Sequence, residues 1–232
     1  MFLLYHQLFS FFLTKNKKTV LFKKETKQTT LDRSMSIKVH NPAQLVVSSP
    51  SRTTIINTLL QALSGVPHEN ACVIFDLDMT LIGPMYKAYP DMLALLHVLK
   101  VRFKYTIVLI TARQSHVPYI KVNESTTTAR QYAHVRTVEQ LHAIGALKYI
   151  DFIYQQKQGE LCPGLAKFNA RKELTNMGYK IVLLVGDCIW DIFNVTACAR
   201  YADILIDSDP TQTHLFYDSR DDRYCMKMPE FR

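Results

Sequence analysis

The stretch Cys72-Val73-Ile74-Phe75-Asp76-Leu77-Asp78-Met79-Thr80 constrains this chain more than any other. A short apolar run rich in β-branched and aromatic residues reads as a buried strand. It ends abruptly in two aspartates one residue apart. A core strand has no use for two carboxylates at its end, because buried charges must be paired or metal-bound. In open α/β sheets, ligands bind outside the carboxyl ends of the strands. Asp76 and Asp78 therefore stand where a parallel sheet places a site, and alternation along an extended chain sends them the same way. Taken alone, Asp-X-Asp-X-Thr also fits a solvated strand-to-loop turn, where acidic residues are common. The rest of the chain argues against that blander reading.

Apolar spacing predicts a helix over Arg52–Ser64, capped by Ser51 and stopped by Gly65 and Pro67. The first strand is expected at 71–76. A helix starts at Tyr89-Pro90-Asp91 and runs through Leu99, with Pro favourable in the first turn. Further strands are expected at Tyr105–Ile110, Tyr149–Tyr154, Lys180–Val185 and Ala202–Ile206. Further helices are expected at Arg136–Ile144, Ala166–Met177 and Asp191–Ala199. Residues 35–50 read as irregular, and 114–134 as polar with no clear period. Strands alternating with helices predict an α/β fold: a Rossmann-like parallel sheet of about five strands, helices on both faces. The 33 residues from Asp78 to Thr111 hold one helix and leave little or no room for a cap domain.

Three of these strands end in related chemistry. The first delivers Asp76 and Asp78, the second Thr111, the fourth Asp187, with Asp191 one helical turn later. Lys167 lies at the start of the intervening helix. Carboxylate oxygens suit a hard cation such as Mg²⁺. A hydroxyl and an ammonium suit a phosphate. Weighed alone, Thr111 is an ordinary strand-end residue, and Lys167 has close rivals in Arg171 and Lys172.

Asp76-Leu77-Asp78-Met79-Thr80, Thr111, Lys167 and Gly186-Asp187-Cys188-Ile189-Trp190-Asp191 resemble, in order, the four motifs of the haloacid dehalogenase-like superfamily. The resemblance covers about residues 70–210. Within it, Ile110-Thr111-Ala112-Arg113, Arg136-Thr137-Val138-Glu139-Gln140-Leu141 and Lys167 through Val182 are most similar to the acid phosphatase branch that includes plant vegetative storage proteins. The chain departs from that branch at Met79 and Ala112, where glycine is usual.

The resemblance implies a Mg²⁺-dependent phosphomonoester hydrolase working through an aspartyl-phosphate. Asp76 is then the nucleophile and Asp78 the general acid and base. Thr111, Lys167 and the backbone N–H groups after Asp76 hold phosphate. Asp76, the Asp78 carbonyl, Asp187 and Asp191 serve the metal, with Asp191 alternatively orienting Lys167. Asp78 favours phosphatase over dehalogenase chemistry, which has no phosphate leaving group to protonate. The substrate is expected to be a phosphorylated small molecule or polymer end. A polynucleotide or nucleotide phosphatase is the enzymatic alternative, and a non-catalytic binding or storage protein on the same fold is the other. Arg113 reads as a surface salt bridge rather than a substrate contact, and Trp190 as core or pocket wall.

The net charge of +8 does not point the domain at nucleic acid. Residues 1–40 carry +6 of it, leaving +2 for the rest. Residues 1–34 read as a basic leader or extension, with Met35 a candidate start. Residues 35–69 read as a helical segment and 70–232 as the catalytic domain. The apolar stretch 2–13 is too short to span a bilayer as a helix. The five cysteines are odd in number and lack zinc-site spacing. Cys72 and Cys188 read as small buried hydrophobes. Reduced thiols and a cytoplasmic location are expected, where the Asn123-Glu124-Ser125 and Asn194-Val195-Thr196 glycosylation patterns carry no meaning. The eight histidines show no metal-ligand spacing.

Overall fold

The computed structural model describes residues 43–122, 135–192, 209 and 211–229. Eight strands among them form one sheet: β1 (Ala43–Ser49), β2 (Ala71–Phe75), β3 (Thr106–Ser115), β4 (Tyr119–Lys121), β5 (Phe152–Lys157), β6 (Lys180–Gly186), β7 (Thr213–Asp218) and β8 (Arg223–Lys227). Their spatial order is β1-β7-β8-β6-β2-β3-β5-β4. The middle run β8-β6-β2-β3-β5 is parallel. β1, β7 and β4 pair antiparallel at the two ends.

The expected parallel sheet of about five strands is thereby corrected: the sheet is mixed and has eight strands. Residues 35–50, read as irregular, contain β1. The stretch read as lacking a period contains β4 and the end of β3. The β7–β8 hairpin follows every element expected from sequence. The expected strand at 202–206 and the end of the helix from Asp191 lie outside the described residues, as do residues 1–34 and both glycosylation patterns.

The helices are α1 (Arg52–Leu63), α2 (Pro90–Val101), α3 (Arg136–Ala143), α4 (Pro163–Asn176) and the single turn α5 (Ile189–Ile192). Ser51 caps α1, its Oγ accepting from the Thr54 N–H. Two apolar clusters follow from strand alternation. Val73 and Phe75 of β2 point with Ile107 and Leu109 of β3 into one, against Leu59 of α1, Leu95 of α2 and Leu141 of α3. Cys72, Ile74, Val108 and Ile110 point into the other, against Ala170 and Leu174 of α4 and Ile192 of α5. Full burial of side chains such as Leu59 and Leu95 contributes ~1.5–3 kcal/mol each. Both faces of β2 are covered, so its five residues are all buried and only the strand's carboxyl end is left for polar chemistry.

Candidate active site at the carboxyl ends of the strands

Asp76 directly follows β2. Its N–H donates to the Val185 carbonyl at 2.9 Å, carrying the β2–β6 pairing one residue further. The side chain is buried. Lys167, on the second turn of α4 and 3 % exposed, donates from Nζ to Asp76 Oδ1 at 2.6 Å. The same Nζ donates to Asp191 Oδ1. One ammonium thus joins the ends of β2 and β6 through two buried carboxylates.

Asp191 is held on both oxygens, because its Oδ2 accepts from the Cys188 N–H at 2.8 Å. Arg171, one turn beyond Lys167 on α4, donates from Nη1 to the Trp190 and Asp191 carbonyls, both at 3.1 Å. Arg171, a rival to Lys167 by sequence, thus buttresses the backbone under Asp191. Gly186 has a steric reason to be glycine: a Cβ there would lie 2.2 Å from the Asp191 Cβ.

Asp78 points to a different partner. Arg113 donates from Nε to its Oδ2 at 2.7 Å and from Nη2 to its Oδ1 at 2.5 Å. The third guanidinium nitrogen, Nη1, donates to Gln140 Oε1 of α3. Arg113 does form a salt bridge, as its sequence suggested, but with the second aspartate of the motif. Gln140 is not among the site residues expected from sequence; an amide on the polar side of a helix carries no signal of its own. Thr111 is buried, and its Oγ1 accepts from the Arg113 N–H at 3.3 Å. It therefore fastens the backbone that presents the fork.

The turn after Asp78 is tight. Met79 and Thr80 spend their N–H groups on Ile82 and Leu77 carbonyls at 2.6 and 3.4 Å, which removes those two from any phosphate-binding set. Met79 has φ 60°, in the left-handed region that favours glycine. The methionine that stands where glycine is usual occupies a glycine conformation.

Electrostatics follow from three acids clustered around one lysine. Burial pushes the Asp76 carboxyl well up, the Lys167 ammonium opposes this, and Asp191 and Asp187 add to the rise. Burial works against the Lys167 charge, but Asp191 and Asp76 outweigh it and hold the ammonium above its ordinary value. Asp187 is pushed up to about 6, by burial first and the Asp191 carboxylate second, with Lys167 and Lys227 pulling the other way.

Among the described residues, Asp187, Cys188 and Asp191 place one ligand atom each within 4.8 Å of one another. The two carboxylates fit a hard cation. The Cys188 thiol does not: it is a soft donor, and burial together with Asp191 drives its pKa up, keeping it protonated. Cys188 is partly buried rather than a core hydrophobe, while Cys72 is fully buried. The side chains of Asp76 and Asp78 stand outside this trio, paired with Lys167 and Arg113, and Asp191 within it is itself paired with Lys167.

No protein-family model matches the chain, and no curated protein matches it. Among the described residues, no helix is long and apolar enough to cross a membrane. Cys72, Cys162, Cys188 and Cys225 are free thiols.

Proposed function

We propose that this chain is a phosphomonoester hydrolase of the haloacid dehalogenase-like type, working through an aspartyl-phosphate on Asp76 and dependent on Mg²⁺. One observation carries the reading: Lys167 is buried between Asp76 and Asp191 at the carboxyl ends of two neighbouring parallel strands. A buried ion triad is costly in a fold that needs only stability, and it is apt for holding a nucleophile's charge in place.

In this mechanism the Asp76 carboxylate attacks phosphorus and the bond to the leaving oxygen breaks. Lys167 keeps Asp76 oriented and offsets charge building on the transferring group. Asp78 gives a proton to the leaving oxygen and later takes one from the water that hydrolyses the acyl-phosphate. The Arg113 fork has to free one Asp78 oxygen for that exchange. Thr111 and the backbone N–H groups of Leu77 and Asp78 are the phosphate-side contacts, those of Met79 and Thr80 being spent within the turn. Asp187 and Asp191 would hold the metal, with Asp191 also orienting Lys167. Bound Mg²⁺ would supply positive charge that offsets repulsion between Asp76 and an anionic substrate.

The substrate class is a phosphorylated small molecule or polymer end, handled in the cytoplasm. The free thiols among the described residues support that location. The test is hydrolysis of a generic aryl phosphate with and without Mg²⁺. Turnover that needs the metal and disappears in Asp76→Asn supports the reading. No turnover with any divalent cation favours a binding or storage protein on the same fold.

A further inference from the structure

Register sets Ser48, near the end of β1, opposite His214, the second residue of β7. Ser48 Oγ and His214 Nδ1 lie 2.7 Å apart. The other ring nitrogen, Nε2, lies 2.8 Å from the Asp209 carbonyl oxygen. A carbonyl can only accept, so in the neutral ring Nε2 carries the hydrogen and Nδ1 a lone pair. The Ser48 hydroxyl therefore donates to Nδ1. The Asp209 carbonyl is itself pinned: it also accepts from the Gln212 N–H at 3.1 Å, and Asp209 Oδ1 accepts from the Thr211 N–H at 2.9 Å. His214 is 3 % exposed, whereas Ser48 is exposed on the end strand of the sheet. A sheltered base, oriented by a third group, thus holds a hydroxyl that solutes can reach. Nucleophilic serines are activated by such an arrangement. Backbone pairing from Ala43 to Ser49 already joins β1 to β7, so the side-chain bond is not needed to close that edge. Four strand spacings, roughly 19 Å, separate β1 from β2 and the Asp76 site.

We propose that Ser48 is a second nucleophile of this chain, with His214 as its base, and that it accepts acyl groups from activated carboxylic esters. In the step, Ser48 Oγ attacks the acyl carbon and its proton passes to His214 Nδ1. The ester C–O bond breaks, and the leaving oxygen departs with the electron pair. The imidazolium then gives the Nδ1 proton to that oxygen or to water, and the product is an O-acyl serine. The Nε2 hydrogen stays on the Asp209 carbonyl throughout, which keeps the ring in the accepting orientation. The step uses neither Asp76, a metal nor phosphate, so it stands apart from the phosphatase reading.

The experiment treats the full chain with 4-nitrophenyl acetate at pH 8 and follows acetylation residue by residue with mass spectrometry. Ser51 and Ser64, both exposed, are the internal controls. The expected result is acetylation of Ser48 on the order of a hundredfold faster than of either control. His214→Gln should remove most of that advantage while leaving lysine acetylation unchanged, and His214→Asn is a second variant should the first fail to fold. In urea-unfolded wild type the advantage of Ser48 should vanish. Asp76→Asn should acetylate at Ser48 as wild type does. Acetylation of Ser48 no faster than of Ser51 and Ser64 overturns the proposal. So does an advantage that survives in a folded His214 variant or in urea, because exposure or local sequence would then explain it. Loss of the advantage in Asp76→Asn would also overturn it, by tying Ser48 to the other site.

Discussion

Arg113 grips Asp78 with two parallel hydrogen bonds, Nε to Oδ2 at 2.7 Å and Nη2 to Oδ1 at 2.5 Å. Fork-on-fork pairing fixes the plane of a carboxylate as well as its position. Gln140 anchors the outer edge of the fork, and Thr111 anchors its backbone. The second aspartate of the motif is therefore set by residues from β3 and α3, not by its own strand. Side-chain exposure of 49 % for Asp78 against 19 % for Arg113 leaves the carboxylate reachable while the fork is sheltered.

If Asp78 is the acid and base of the reaction, Arg113→Lys should lower kcat on an aryl phosphate about tenfold and leave KM within about threefold. A lysine keeps the charge but cannot make two parallel bonds. Gln140→Leu should act in the same direction and more weakly, because it loosens the fork without removing it. Steady-state kinetics on the two variants check this. A rise in KM with kcat unchanged would assign Arg113 to substrate binding instead.

Asp76→Asn should cost more than a hundredfold in kcat, at least ~2.7 kcal/mol of barrier stabilisation. It keeps the side-chain shape and removes the charge of the proposed nucleophile. The fold should survive, because the substitution removes the burial cost that chiefly raises the Asp76 carboxyl and also relieves repulsion from Asp191 and Asp187. Lys167→Met should do the reverse, destabilising the chain by ~3–5 kcal/mol, since it strands buried carboxylates without their cation. Urea unfolding of the pair, in chelator, separates the two effects.

The parts of this architecture legible in sequence are those where pattern and chemistry agree. β2 and β6 are continuous apolar runs closed by aspartates, and Lys167 and Arg171 share one face of a helix four residues apart. The rest was hidden for physical reasons. β3 shifts register between Thr111 and Gln114, and a bulge breaks the period of two on which strand recognition depends. β1 is an edge strand with Leu45 and Val46 both about half exposed and its own register shift between Leu45 and Val47, so its apolar residues do not alternate cleanly. β8, Arg223-Tyr224-Cys225-Met226-Lys227, is short and polar at both ends. Gln140 became visible only through the side chain that reaches it.

Gly186→Ala is the sharpest test of how closely Asp191 is packed. The new methyl group would meet the Asp191 Cβ at 2.2 Å and its carboxylate oxygen at 2.6 Å. Neither atom is the free end of a flexible chain, because Asp191 is held by Lys167 and by the Cys188 N–H. The expected loss is about 1–3 kcal/mol of stability together with a fall in kcat of tenfold or more, as Asp191 is pushed off Lys167. Urea denaturation and aryl-phosphate turnover, measured on the same preparation, check both. A variant that keeps wild-type stability and turnover would show that the turn after β6 yields freely and that Asp191 is not fixed.

The Asp187 carboxyl gives the chain a pH signature when no metal is present. Its pKa is raised from 3.8 to about 6 by burial and the neighbouring Asp191. Between those values the folded chain binds more protons at this group than the unfolded chain does. Stability from Asp187 is therefore fully present below about pH 4 and is lost as pH rises through about 6. At pH 7 the ionised, buried carboxylate costs on the order of 2–3 kcal/mol. Asp187→Asn removes that cost and keeps the shape. In chelator, the variant should match wild type near pH 4 and exceed its stability by up to about that amount at pH 7. Adding Mg²⁺ should narrow the gap at pH 7 by stabilising wild type alone, because only wild type keeps the ligand. Urea unfolding across pH 4 to 8, with and without the metal, checks both halves. A stability difference that stays constant with pH would mean that Asp187 ionises normally, and a gap that Mg²⁺ leaves unchanged would remove Asp187 from the ligand set.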